Sequence, residues 1–154
     1  MHGITFTDCD IIHVTGPVLD ITNVDFAHIH NVIFQNINVE YDTPFLAPYL
    51  QKKDGEEYTN PDPKKAPMLI KAETIFHKEY SAGGKKRGKI SDITFRNIHL
   101  FGEKMPLIKF QGYNEDHKTE NVRVENLFFN GEKITPFPKE NLILGDFTEN
   151  ITLL

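Results

Sequence analysis

Five segments of the chain align with one another without gaps, and their spacing limits the folds that the sequence can adopt. They begin at Ile4, Val32, Ile93, Val122 and Ile151, and the last of them is truncated. Successive starts lie 28, 61, 29 and 29 residues apart, so the second interval holds either two periods or one period with an insertion. A repeat unit of this size cannot bury its own apolar face and must stack on a neighbouring unit.

Within each repeat the apolar residues alternate with polar ones, which is the period of a β-strand with one buried face. The alternation breaks at one polar residue in each repeat and then resumes. These residues are Asp8, Asn36, Asn97 and Asn126. Asn and Asp tolerate the left-handed backbone of a tight corner. The sequence therefore predicts a corner at this position and a polar ladder through the stack, with the side chains bonding neighbouring backbone.

A second apolar run follows the first by thirteen residues in two repeats, at residues 17–21 and 106–110. Residues 67–71 match it, and residues 141–144 are a shifted version. Between about residue 43 and residue 89 the chain is rich in proline and contains the basic stretch 81–89, which predicts a loop insertion. Long loops in compact domains are commonly functional, so binding residues are expected there.

The repeat predicts an all-β fold, a short β-solenoid of parallel strands with coils of about 29 residues. A β-sandwich would also show alternating strands, but it would not repeat the same Asn corner at the same phase. The chain has 154 residues, which fits a single domain over residues 1–154.

The composition excludes several classes of partner. A net charge of -5 argues against nucleic acid and against an anionic membrane surface. The single cysteine, Cys9, excludes an internal disulfide and is expected to be a buried thiol. The sequence shows no export signal and no window of about 20 apolar residues that would span a membrane. It indicates no cofactor.

Two stretches of the chain resemble a known family. The pattern N-V-x-F-x-N-I-x-V at residues 31–39, nearly repeated at 92–100, resembles the coils of polygalacturonase-like proteins, glycoside hydrolase family 28 and its bacterial relatives. Residues 87–98 and 112–131 are similar to the C-terminal coils of bacterial members. The resemblance implies a right-handed parallel β-helix, pectic or other acidic polysaccharide as the ligand, and an extracellular or periplasmic location.

The catalytic motifs of that family, N-T-D, D-D, G-H-G and R-I-K, are incomplete in this chain. Residues 23–25 match the N-T-D motif only at its Asn and its Asp. The Ile-Lys pair of the R-I-K motif recurs at residues 70–71 and 108–109, but no arginine precedes it. No catalytic residue can therefore be carried over. The chain is interpreted as the C-terminal portion or a truncated relative of such an enzyme. If it is an enzyme it is a glycoside hydrolase, and the alternative is a non-catalytic glycan-binding or assembly module.

Charged and aromatic residues supply the candidates for ligand binding. Lys and Arg make charge-assisted bonds to carboxylates, so the expected contacts to an acidic sugar are Lys71, Glu73, Arg87 and Lys109. Glycoside cleavage requires two carboxyl groups. The outward-facing candidates are Asp20, Asp25, Glu40, Asp42 and Glu73. The tyrosines that could stack on sugar rings are Tyr41, Tyr49, Tyr58, Tyr80 and Tyr113.

Two further expectations concern a histidine pair and the ends of the stack. His28 and His30 share a face if that stretch is extended, a spacing that can place two imidazoles on one metal. No third ligand is apparent, so a surface role is predicted and no metal site. An open coil exposes apolar core and an unpaired strand edge, so a homo-oligomer formed through the solenoid ends is expected.

Overall fold

The computed structural model describes residues 1–14, 16–41, 67–76, 79–80 and 86–154. These residues form strands and one short 3-10 helix at Lys139–Asn141. The strands are β1 (His2–Val14), β2 (Leu19–Asn23), β3 (His28–Tyr41), β4 (Met68–Thr74), β5 (Lys89–Phe101), β6 (Leu107–Gln111), β7 (Thr119–Phe129), β8 (Glu132–Lys133), β9 (Leu142–Leu144) and β10 (Thr148–Leu153). The prediction of an all-β fold is confirmed.

The strands are arranged in two sheets. Sheet A has the order β1-β3-β5-β7-β10, with β8 added antiparallel to β7, and sheet B has the order β2-β4-β6-β9. All other pairings in both sheets are parallel. Along the chain the strands alternate between the two sheets, apart from β7 and β8, so each stretch of sheet A is followed by a short strand of sheet B.

Sheet A pairs equivalent positions of successive repeats. Val32 pairs directly with Ile93, so the 61-residue interval is one period with an insertion. Two inward-facing rows run through the sheet as a result. They are Ile4, Val32, Ile93, Val122 and Ile151, and Phe6, Phe34, Phe95, Val124 and Leu153. The alternation read from the sequence therefore sets the register of the sheet.

Sheet B is built from the second apolar runs. The strands predicted near residues 17–21, 67–71, 106–110 and 141–144 are present as β2, β4, β6 and β9. Strand β4 lies inside the stretch from about 43 to 89 that the sequence pattern assigns to a loop insertion. Leu69, Ile70 and Ala72 of β4 are fully buried, so this part of the stretch is core. Residues 42–66, 77–78 and 81–85 lie outside the described residues.

Side chains of both sheets share one hydrophobic cluster. Its members from sheet A include Phe95 and Ile98, and those from sheet B include Leu19 and Phe110, all at most 1% exposed. Burial is incomplete in the first strand, where Phe6 is 47% exposed although Phe34, its partner in β3, is 7% exposed. The core is therefore closed in the middle of the stack and open at the β1 end.

The predicted corner is present in all four repeats. Asp8, Asn36, Asn97 and Asn126 have φ between 53° and 56°, the left-handed region. Their side chains bond one another: each Asn Nδ2 donates to the Oδ1 of the residue in the preceding coil at 3.0–3.1 Å. The expectation that they bond neighbouring backbone is wrong, because the neighbouring coil brings a side-chain oxygen closer to each amide.

A second ladder was not predicted from the sequence. Residues with φ between 52° and 68° stand one position before each repeat start, namely Gly3, Asn31, Asp92, Asn121 and Asn150. Asn121 donates to Asp92 and Asn150 donates to Asn121, both at 3.1 Å. The sequence does contain a signal for this second ladder, since Gly, Asn or Asp precedes every repeat start. Each long strand of sheet A that crosses both ladders therefore has two corners.

Cys9 is not the buried thiol that its residue type predicts. It is partly exposed, and its Sγ lies 3.3 Å from the carbonyl oxygen of Thr7. The equivalent residues Ile37 and Ile98 in β3 and β5 are at most 1% exposed. Cys9 is more exposed because it belongs to β1, which among the described strands pairs on one side only, with β3.

Candidate functional site

The predicted ligand-binding lysines lie side by side on the outer face of sheet B. Lys71 of β4 pairs in register with Asp20 of β2 and with Lys109 of β6. Glu73 follows Lys71 by two residues on the same face of β4. The parallel register therefore places the three predicted residues Lys71, Glu73 and Lys109, together with Asp20, on neighbouring strands about 4.8 Å apart.

Ion pairs connect these four side chains. Lys71 Nζ lies 3.0 Å from Asp20 Oδ2 and 3.4 Å from Glu73 Oε1. Lys109 Nζ donates to Glu73 Oε2 at 2.5 Å. Burial alone would lower the pKa of Lys71, but the hydrogen bond and charge of Asp20, followed by those of Glu73, hold this pKa above its usual value. We call this group of four side chains the charged cluster.

Both lysines keep hydrogen-bonding capacity in this arrangement. An ammonium group has three N–H donors. Within the described residues Lys71 uses two of them and Lys109 uses one, while both oxygens of Glu73 accept from a lysine. The charged cluster therefore has fixed cationic donors with further bonds to offer, and its most buried carboxylate is already engaged.

Arg87 lies apart from the charged cluster and contacts aromatic rings. Its guanidinium carbon is 4.6 Å from the ring centre of Phe76 and 4.5 Å from that of Tyr113. Lys86 Nζ lies 5.0 Å from the ring centre of Phe26. The three rings follow β2, β4 and β6 by two or three residues, so they stand beyond the carboxyl ends of sheet B. We call these five side chains the aromatic edge.

A close backbone approach holds Lys86 and Arg87 at this edge. A Cβ added at Gly88 would lie 1.9 Å from the carbonyl oxygen of Ala27, so only glycine fits there. Asn23 Nδ2 donates to the carbonyl oxygens of Ala27 at 2.7 Å and of Lys89 at 3.3 Å. These contacts fix the chain on both sides of Gly88. Arg87 also keeps a buried Nε without a hydrogen-bond partner among the described residues.

The structure separates the other predicted residues into three groups. Tyr41 is 6% exposed and is not available to stack on a ligand, because it faces the core from the end of β3. Tyr80 and Tyr113 are exposed, while Tyr49, Tyr58 and Asp42 lie outside the described residues. The sequence reasoning missed Phe26 and Phe76, whose only signal is their position just after strands of sheet B.

The chemistry of this face is that of a hydrogen-bonding surface beside aromatic rings. Phe26, Phe76 and Tyr113 are 59%, 52% and 41% exposed. Exposed rings offer apolar faces, and charged side chains offer strong, directional hydrogen bonds. Sugars present both apolar C–H faces and hydroxyl or carboxylate groups. The charged cluster and the aromatic edge together therefore suit a carbohydrate.

A row of histidines occupies a different face, on sheet A. His28 and His30 share that face as predicted, with ring centres 4.3 Å apart, and His2 stacks on His30 at 4.9 Å. His28 Nε2 lies 2.8 Å from Ser91 Oγ, which donates to Asp92 Oδ2 at 2.7 Å. In the described part of the chain no three His, Cys, Asp or Glu side chains are placed to hold a metal ion.

The histidine row predicts a loss of stability in mild acid. Burial lowers the pKa of His28 below its usual value near 6.5, and the His30 and Lys89 charges lower it further although Asp92 opposes them. A folded pKa below the unfolded one gives stability that is complete above about pH 6.5 and is lost as the pH falls. We expect the free energy of unfolding to decrease from pH 7.5 to pH 5.5 in urea titrations.

The matched variants for this prediction are His28→Asn and His117→Asn. The first removes the perturbed imidazole, so it should reduce the slope of stability against pH. His117 bonds Asn114 in a separate loop, so its replacement is the control for removing an imidazole outside the histidine row. The Ser91 hydrogen bond lowers the pKa of Asp92, whose contribution is lost only below about pH 3.8 and lies outside this window. Equal slopes in the wild type and His28→Asn would contradict the assignment.

The chain was compared with models of protein families, with curated proteins and with solved structures, and none of the three comparisons gives a match. Among the described residues no helix has the length and apolar character needed to cross a bilayer.

Proposed function

We propose that the chain is a right-handed parallel β-helix that binds acidic polysaccharide, such as a pectic polymer, on the outer face of sheet B. The fold part of this proposal is supported by the alternation of successive strands between two parallel sheets, with equivalent repeat positions in register. Strand, crossover and parallel strand connect in the right-handed sense in nearly all known proteins. The resemblance of residues 31–39 and 92–100 to family 28 coils also supports a right-handed β-helix.

The observation that carries the binding proposal is the combination of the charged cluster on the outer face of sheet B with the aromatic edge beyond the carboxyl ends of the same sheet. Together they contain four cationic side chains, two of them lysines held in place by Asp20 and Glu73. Two cations, Lys86 and Arg87, contact aromatic rings instead of carboxylates. The four cations and two carboxylates of these two groups therefore carry a net positive charge, in a chain whose net charge is -5. A uronic acid polymer matches both the charge and the mixture of polar and aromatic groups.

Binding without turnover is favoured for this chain. The two carboxylates of the charged cluster, Asp20 and Glu73, flank one lysine, and both Glu73 oxygens are occupied by lysines. Glycoside hydrolysis needs one carboxyl group free to give a proton to the leaving oxygen. The chain is thus proposed as the glycan-binding C-terminal portion or a truncated relative of a family 28-type enzyme, acting outside the cytoplasm.

Titration calorimetry with oligogalacturonides tests the proposal. Lys109→Met keeps the apolar stem and removes the charge, so it should weaken binding by about 10- to 100-fold, since a hydrogen bond to a charged group contributes roughly 1.5–3 kcal/mol. Arg123→Met is the matched control, because Arg123 is an exposed cation of sheet A paired with Glu125. Binding should weaken as salt rises, because exposed charges are screened.

Three outcomes would contradict this proposal. They are an absence of binding, an equal loss in Lys109→Met and Arg123→Met, and an affinity independent of salt. Release of reducing sugar from polygalacturonate is the companion measurement, and we expect none above background. Turnover that Glu73→Gln abolishes would replace the binding proposal by a glycoside hydrolase with its acid or base at Glu73.

A further inference from the structure

A two-residue turn connects β7 and β8 at Asn130 and Gly131. Phe129 pairs with Glu132 across this turn. Asn130 has φ of 50° and Gly131 has φ of 87°, and positive φ at both positions is the mark of a type I′ turn, which favours Asn-Gly. Both turn residues are exposed, and a Cβ added at Gly131 would meet no atom within 4 Å. The peptide group between Asn130 and Gly131 is therefore open to solvent on the glycine side.

The carboxamide of Asn130 takes the place of a peptide group beside β5. The last residues that pair β5 with β7 are Leu100 and Phe129, and β7 then turns away. Beyond that point Asn130 Nδ2 donates to the carbonyl oxygen of Gly102 at 2.9 Å, and Asn130 Oδ1 accepts from the Gly102 N–H at 3.1 Å. We call these two contacts the Gly102 bonds. Together with the Asn130 N–H, which donates to the Leu100 carbonyl oxygen at 2.8 Å, they fix the end of β5.

Asn130 also differs from every other asparagine of the sequence in the residue that follows it. Asparagine is chemically labile, because the backbone nitrogen of the next residue can attack its side-chain amide carbon. A side chain on that next residue shields the nitrogen, and glycine has none. Every other asparagine precedes a larger residue, such as Leu127 after Asn126 and Ile151 after Asn150. The attack is therefore least hindered at Asn130.

We propose that Asn130 is a site of spontaneous deamidation in the folded protein, and that the modification breaks the Gly102 bonds. The backbone nitrogen of Gly131 loses its proton and bonds to Cγ of Asn130. The Cγ–Nδ2 bond breaks, and the amide group takes up a proton and leaves as ammonia. Water then opens the five-membered succinimide at one of its two ring C–N bonds, which gives aspartate or isoaspartate. Because the Gly102 bonds hold the carboxamide, the reaction proceeds from the locally open state in which they are broken.

Both products lack the donor that the Gly102 bonds require. An ionised carboxylate only accepts hydrogen bonds, so the oxygen that replaces Nδ2 faces the Gly102 carbonyl oxygen with no proton between them. Isoaspartate also adds one carbon to the backbone of the turn, so the two-residue geometry that pairs Phe129 with Glu132 no longer fits. The ammonia is lost to solvent, so each modified molecule keeps a loosened end of β5. The turn belongs to neither the charged cluster nor the aromatic edge, and its modification is independent of glycan binding.

Peptide mapping by mass spectrometry tests the modification after incubation of the folded wild type at pH 7 and pH 9. The peptide that contains Asn130 should change from the amide to the acid form, and faster at pH 9, because the attacking nitrogen must lose its proton. Asn126 and Asn150 are controls within the same sample and should remain amides. An intact amide at Asn130 after incubation, or conversion of Asn126 at the same rate, would overturn the proposal.

Asn130→Asp reproduces the product with the normal backbone and tests the loss of the Gly102 bonds. We expect its midpoint of urea unfolding to fall below that of the wild type. Asn114→Asp is the matched control, because it adds the same charge while the bonds from Asp116 N–H and from His117 both end on Oδ1, which aspartate retains. Aged wild type compared with fresh wild type gives the same readout without a substitution. Equal midpoints for Asn130→Asp and the wild type, or equal losses in Asn130→Asp and Asn114→Asp, would refute the proposed effect on Gly102.

Discussion

Replacing Phe95 by alanine is expected to destabilise the protein by about 3–5 kcal/mol, the range for removal of a buried aromatic side chain. Phe95 is fully buried in the middle strand of sheet A, and its ring stacks on that of Phe34 with centres 5.1 Å apart. Coils on both sides hold the surrounding backbone in register, so the cavity cannot collapse. Urea unfolding measures the loss, which is a large fraction of the usual 5–15 kcal/mol for a domain.

Phe101→Ala is the control for this prediction. Phe101 lies at the end of the same strand, β5, but it faces outward and is 45% exposed. Its replacement should change the free energy of unfolding by no more than about 0.5 kcal/mol, as at other surface positions. A loss below about 1 kcal/mol for Phe95→Ala, or equal losses for the two variants, would show that the phenylalanine row is not the core of the stack.

The strands, their register and one corner could be predicted because each depends on local residues that recur. Alternation at Ile93 and Phe95 identifies the buried face, and the matching position of Val32 fixes which strands pair. Asn97 marks the corner because its residue type tolerates a left-handed backbone. The same reasoning applied at Asp92, one residue before the repeat start Ile93, would have found the second ladder.

The candidate site was only partly predictable, because part of it depends on where an irregular segment returns to the stack. Lys71 and Lys109 lie in repeated strands, so the period alone brings them together. Arg87 comes after the insertion, and its contact with Phe76 and Tyr113 depends on the path that Gly88 takes past Asn23. No periodic pattern encodes that path. The exposure of Cys9 escaped prediction for a related reason, since the repeat does not show that β1 pairs with a described strand on one side only.

The asparagine ladder combines two physical effects at each position. Asn97 has φ of 53°, a conformation that costs an ordinary L-residue roughly 1–2 kcal/mol. Its side chain donates to Asn36 Oδ1 at 3.0 Å and accepts from Asn126 Nδ2 at 3.1 Å. Each such hydrogen bond contributes about 0.5–1.5 kcal/mol, and the exposed position of the ladder places these bonds at the lower end. Substitutions at Asn97 can separate the two effects.

Asn97→Leu is expected to destabilise the protein by about 1–3 kcal/mol, because leucine loses both ladder bonds and must keep the left-handed backbone. Asn97→Gly loses the same bonds but adopts a positive φ without strain, so its loss should be clearly smaller. Asn38→Leu is the control, since Asn38 also bonds the preceding coil, at Asp10, but has no positive φ. Urea unfolding of the three variants gives the comparison. Losses below about 0.5 kcal/mol at Asn97 would refute the ladder, and equal losses for leucine and glycine would assign its whole effect to the hydrogen bonds.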